Sequence, residues 1–382
     1  MRGVVLVRAL TALVLCCAVG VVAPGKVRAQ NETTQARMRG VFLTLTTAYK
    51  YSLDTEAFED PANEGKIRAA LQALVANATE LETHGGGLDS SFDYLRRSLA
   101  RDATEALDRF NQRQYVGSRF LLTKLTENCV TCHSKLPQQK DFELGAEFVK
   151  EADVQDLPPI SRVDLEIATR QFKRALGTYE KLFQDPKQKP QTLSLVGAFE
   201  EYMRLCIGVV NDPGRAVKAL AAFKERKDVP SNLARLCTSW VAELQSLDLA
   251  SAKNNELFVA RGMIDKARAA KRYPDDRSQV VDFIAAAALL HRYLQTSHNN
   301  NEEAEAFYLL AIAESNITRS YWVSEAPSLL EQAIYKAPKS AVAKQAYGFL
   351  EEYTLSGQAV TAREVPQDVQ AKLDSLRSLI EQ

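Results

Sequence analysis

The stretch Glu127-Asn128-Cys129-Val130-Thr131-Cys132-His133 decides how this chain is read. Cys-x-x-Cys followed at once by His is the attachment pattern of c-type haem: thiols three residues apart add across two vinyl groups, and the adjacent imidazole reaches the iron. A thioredoxin-like dithiol shares the spacing but needs a strand-helix-strand setting, and the hydrophobic pattern around Cys129 shows none. Half of a zinc site needs a second ligand pair, which the sequence does not supply. The expectation is one haem c, covalently held by Cys129, Cys132 and His133.

Upstream of the motif the apolar residues recur at helical spacing. Met38, Val41, Phe42, Leu45 and Ala48 form one stripe after Thr34, a candidate N-cap. Asp60-Pro61 suits a cap and first turn, and Ile67, Leu71, Leu74, Ala78 and Leu81 mark the helix that follows, stopped by Gly85-Gly86-Gly87. Asp89 reopens the chain into a helix with Phe92, Leu95, Leu99, Ala103, Ala106 and Phe110 inward. Ser118 can cap the next, where Leu122, Leu125, Cys129 and Cys132 share one face. Four long helices joined by short loops predict an antiparallel bundle over residues 30–137.

A bundle of this kind with Cys-x-x-Cys-His near the end of its last helix resembles the class II c-type cytochromes, cytochrome c′ and its low-spin relatives, over residues 34–136. The resemblance implies thioether roles for Cys129 and Cys132 and a proximal-ligand role for His133. In the low-spin relatives a methionine of the first helix binds the iron's sixth position, and Met38 is the only methionine of this segment. Met38 as plain packing beside the ring is the alternative, with Phe42 or Leu45 covering an open iron face; His84, at a helix end, is a third candidate.

The first 29 residues contain Arg2, Arg8, Lys26 and Arg28, no acid, and an apolar run from Val4 to Val22. That is the pattern of a secretory signal peptide, with Val27 and Ala29 suiting cleavage after Ala29 and delivery to the periplasm. A retained anchor, its helix broken at Pro24, is the alternative; the mature protein is expected to have no stable membrane span. With 48 basic and 48 acidic residues in the whole chain, loss of that leader leaves a slightly acidic protein. Without a basic cluster, nucleic-acid binding is excluded.

Residues 138–160 contain Pro158 and Pro159 with little periodicity and read as a linker. Residues 161–382 read as a separate, alanine-rich helical domain that folds without haem. Ala326, Leu330, Ala333 and Pro338, behind a helix with Phe307, Leu310 and Ala311, are similar to a divergent tetratricopeptide repeat. Ala168, Phe172, Ala175, Tyr179 and Leu182 suggest another repeat helix, and Ala216, Leu220 and Phe223 after Asp212-Pro213 a third. Such stacks grip partners, and Trp322 is a candidate anchor, or ordinary packing. Cys206 and Cys237 form a disulfide or stay free as small hydrophobes. His291 and His298, seven apart on one helical face, lack the partners of a metal site.

With no nucleophile elbow or phosphate loop, no enzyme is expected. The chain reads as an all-α periplasmic mono-haem cytochrome for electron transfer, its repeats docking a redox partner protein. The competing readings are a gas-binding or gas-sensing protein with an open iron face, and a scaffold in which haem is mainly structural.

Overall fold

The computed structural model describes residues 24–84, 90–135, 143–151, 157–195, 197–273, 276–317, 324–359 and 365–381, and among them every regular element is helical. Most of the leader lies outside these residues, as do Leu136, Pro137 and Trp322. None of the helices is long and apolar enough to cross a membrane among the described residues.

The N-terminal half contains α1 (Pro24–Ser52), α2 (Thr55–Glu59), α3 (Pro61–His84), α4 (Ser90–Asn111) and α5 (Tyr115–His133). The expected stripes meet: Val41, Leu45 and Ala48 pack with Ile67, Leu71, Leu74, Ala78, Leu99, Ala103, Ala106, Leu122 and Leu125 in one core. Local chemistry sets the boundaries. Asp60 accepts from the Ala62 amide at 2.8 Å, and Pro61 opens α3 as expected. Asp54 caps α2, a short helix the periodicity does not reveal, through the amides of Glu56 and Ala57. α2 exists to seat Phe58, which meets Phe110 edge-on at 5.3 Å.

Three local features depart from the sequence pattern. α1 begins at Pro24, so Thr34 lies inside it rather than capping it. Ser118 is also no cap, because α5 already starts at Tyr115; its buried hydroxyl donates instead to the Ala106 carbonyl, 2.8 Å away on α4. Phe42 leaves the α1 stripe and clusters with Tyr49, Val149 and Leu165, apart from the core shared by Leu45.

The segment read as a linker holds α6 (Glu143–Glu151) and the start of α7 (Pro159–Ala168). Gly145 lets α6 approach so closely that a Cβ there would run into the Thr169 carbonyl. After α7, the five residues Ala168 to Leu182 divide between two helices, because α8 (Phe172–Gln184) starts only after a break. At that break Arg170 takes a left-handed φ of 59°, its amide bonds Ile167 O, and the Gln171 amide bonds Glu166 O, the double closure of a helix C-terminus.

The rest of the chain is α9 (Pro190–Leu195), α10 (Ala198–Arg204) with a π-helical turn over Leu205–Val209, α11 (Pro213–Lys224), α12 (Ser231–Ser246), α13 (Glu256–Ala270), α14 (Val280–Tyr293), α15 (Asn300–Ile317), α16 (Ala326–Lys336), α17 (Ala341–Ala359) and α18 (Gln367–Glu381). From α11 to α17 nearly every helix packs on the next. Asp212 caps α11 through the Arg215 amide, as the Asp-Pro pair predicts. Around Phe183, Phe199, Phe223 and Trp240 the core is aromatic, and the Trp240 indole donates to Arg277 O at 2.8 Å. α14 ends at Tyr293, so His298 does not share its face with His291; it stacks on the Tyr293 ring at 3.6 Å. Cys206 and Cys237 are separate buried thiols with no disulfide between them.

The two halves are joined by more than a linker. Val130 of α5 belongs to the C-terminal core, α5 packs on α7, and α4 packs on α16. Lys135 pairs with Glu325 at the head of α16, both side chains almost fully buried, and its ammonium lies 5.1 Å from the Phe92 ring centroid.

Candidate functional site

α5, which ends in the motif, packs into two cores. Leu121, Leu122 and Leu125 anchor the helix in the N-terminal core, and Val130 anchors it in the C-terminal one. Between those faces Cys129, Cys132 and His133 line a cavity together with Met38, Val41, Leu81, Leu95, Arg96, Leu99 and Asn128. Leu81 is near the end of α3, Leu95 near the start of α4 and Cys132 at the end of α5, so successive helices run in alternate directions and bring these residues to one end. The structure thus gathers Met38, Cys129, Cys132 and His133 around one space. Met38, on α1, lines the same cavity as the α5 residues. For His84 only the backbone, at the end of α3, is among the described residues.

The cavity is narrow, about 30 Å³ among the described residues, and its wall of Val41, Leu81, Leu95 and Leu99 is apolar. Residues 85–89 and 136–142, which follow α3 and α5, lie outside the described residues.

His133 is oriented by a residue far along the chain: its Nδ1–H donates to the Ile167 carbonyl oxygen at 3.4 Å. Ile167 sits in the last turn of α7, and its carbonyl oxygen, which also accepts from the Arg170 amide, takes the imidazole on its second lone pair. Burial pushes the imidazole down to about 4, with the Arg170 charge adding to the effect, so it is neutral at ordinary pH. A neutral ring with Nδ1–H on a carbonyl leaves Nε2 as the nitrogen that a metal would use.

Burial likewise raises the thiols, Cys129 to about 12 and Cys132 to about 11, so both are protonated rather than thiolate. For Cys132 the Lys135 charge partly offsets this. Low-pKa reactivity of the thioredoxin kind is therefore not built into the pair. Among the described residues no three His, Cys, Asp or Glu side chains converge on a metal ion. Two thiols, a neutral oriented imidazole and a thioether line this one apolar space, the side-chain types that a haem c would use.

Ile167, Arg170 and Asn128 were not legible as site residues in the sequence. The first two come from a helix end hidden inside a continuous apolar pattern, and the third reads as an unremarkable polar residue before Cys129. No protein-family model matches this chain, and neither does any curated protein or solved structure.

Proposed function

We propose that the protein is an exported mono-haem c-type cytochrome that carries electrons, its four long N-terminal helices forming a cytochrome c′-like bundle. Cys129 and Cys132 hold the porphyrin, His133 provides the proximal nitrogen and Met38 is the sixth-position candidate. The C-terminal helices, similar to divergent tetratricopeptide repeats, dock a redox partner protein. When bound, the haem supplies one-electron chemistry at its iron.

The observation that carries this reading is the His133 imidazole, kept neutral by burial and fixed by Ile167 O, on the same cavity as both motif cysteines. The chain's own residues have three tasks. His133 presents one nitrogen in a set tautomer. The apolar wall of Val41, Leu81, Leu95 and Leu99 excludes water, which favours the less charged redox state and lowers reorganisation. The packing of α5 on α7 ties the proximal side to the helical half, where a docked partner would be felt.

The test is a denaturing gel of protein made in a host that exports and matures c-type cytochromes, stained for haem peroxidase activity. A stained band at the mature mass, resistant to acid-acetone extraction and absent in Cys129→Ala/Cys132→Ala, is expected. An unstained wild-type band overturns the proposal.

A further inference from the structure

Asn128 precedes the motif and is only 2% exposed, yet neither its amide nitrogen nor its amide oxygen has a hydrogen-bond partner among the described residues. The other buried polar side chains earlier on α5 do pair: the Ser118 hydroxyl donates to Ala106 O and the Thr126 hydroxyl to Thr123 O, each at 2.8 Å. An unpaired buried amide is unfavourable, and native folds keep such a group where something else completes it. Asn128 lines the cavity shared by Met38, Cys129, Cys132 and His133. Most of the remaining wall there is hydrocarbon, and Arg96 is paired with Asp93.

We infer that Asn128 is a positioning residue for the haem, its amide hydrogen-bonding an oxygen that enters the cavity with the cofactor. The inference rests on the proposed haem site. A porphyrin brings carboxylates, and its iron can hold water or a diatomic molecule; all of these offer oxygen acceptors, so the Asn128 Nδ2–H₂ group is the half of the amide they use. A neutral amide donates to a carboxylate without adding a charge that would need its own partner in an apolar wall.

Asn128→Leu keeps the branched side-chain shape and its number of heavy atoms and removes the amide. It is to be compared with wild type in the haem-loaded full chain and in a cofactor-free full chain carrying Cys129→Ala and Cys132→Ala. In the cofactor-free chain the melting temperature is expected to rise, since an orphaned amide is replaced by hydrocarbon. In the loaded chain it is expected to fall, and the reduction midpoint to move. With the iron opened by Met38→Ala in both loaded chains, a shift in the ferrous carbon monoxide stretch assigns the acceptor to the iron's ligand; a moved midpoint with an unchanged stretch assigns it to a porphyrin carboxylate.

Equal destabilisation of both chains overturns the inference, because Asn128 is then paired within the protein. A loaded Asn128→Leu chain with unchanged midpoint and stretch overturns it too, even where the cofactor-free chain does not melt cooperatively. Wild type lacking covalent haem removes the proposed function and this inference together, whereas a loaded wild type with an indifferent Asn128→Leu removes the inference alone.

Discussion

Met38 is the residue on which carrier and gas-binder diverge. It is half-buried and lines the cavity shared with Cys129 and Cys132, where its thioether has either a metal or only hydrocarbon to meet. Under the proposed function Met38→Ala converts a low-spin ferrous spectrum to high-spin and opens the iron to carbon monoxide. A wild type already high-spin, or a low-spin spectrum that survives Met38→Ala and is lost in His84→Ala, would reassign the sixth position. Asp164 poses a different question. It lines a cleft of about 570 Å³ on the other side of α5, and burial, with repulsion from Glu201 and Glu127, raises its carboxyl to about 8 against a smaller opposing pull from Lys124. The folded chain therefore keeps a proton that the unfolded chain releases near pH 4, and this contribution to stability is lost as pH rises from about 4 to about 8. Asp164→Asn should flatten that loss, narrowing the gap in melting temperature between pH 5 and pH 8 by about 2–4 °C. An unchanged gap would mean the carboxyl is ionised in the fold.

At the scale of elements, the docking of α6 depends on one missing methyl group. Because a Cβ at Gly145 would meet the Thr169 backbone oxygen, which belongs to the turn between α7 and α8 and cannot swing aside, Gly145→Ala must displace α6. The expected loss is about 1–3 kcal/mol in chemical denaturation. Gly177, inside α8 with nothing within 4 Å of an added Cβ, is the control. There the same substitution should stabilise by about 0.5–1 kcal/mol, since alanine restricts the unfolded chain and favours helix. If both variants lose stability alike, close packing of α6 is not what Gly145 provides. The α7 terminus matters for a related reason: Arg170 adopts a left-handed backbone, an unfavourable conformation for a non-glycine residue, to end the helix where His133 needs a carbonyl.

For the whole molecule, the junction between the halves is the feature with most consequence. Lys135 is two residues beyond His133, and it is buried against Glu325 on one side and the Phe92 ring on the other. Glu325 in turn lies near Glu314, which is held low, to about 2, chiefly by Arg204 working against burial. Lys135→Met leaves Glu325 without its cation in a dry site, at a cost of about 3–5 kcal/mol. Lys135→Met/Glu325→Leu should regain most of that, and urea denaturation of the single and double variants measures the difference. Residues 161–382 expressed alone lose both Lys135 and the Val130 contact with their core. They should melt well below the full chain, in place of the independent domain suggested by the Pro158-Pro159 boundary. A fragment as stable as the full chain would show that the interface contributes nothing.

What the sequence determined by itself is what depends on neighbours within one or two turns. The motif order, the apolar stripes of α3, α4 and α5, and the caps Asp60 and Asp212 rest on i to i+4 spacings or side chain to nearby amide bonds. The tertiary structure alone decided which faces meet. The partner of His133 is 34 residues away and that of Lys135 is 190 away, and no periodicity encodes such pairings. The same holds for Phe42, which fits the α1 stripe by spacing but packs against Val149 and Leu165, and for Ser118, whose cap-like position became a bond between helices. It holds again for the end of α7, where the apolar pattern runs straight through a turn made by Arg170. Helical spacing places a side chain on its own cylinder; which neighbour's carbonyl, charge or ring lies opposite is set only when the cylinders pack.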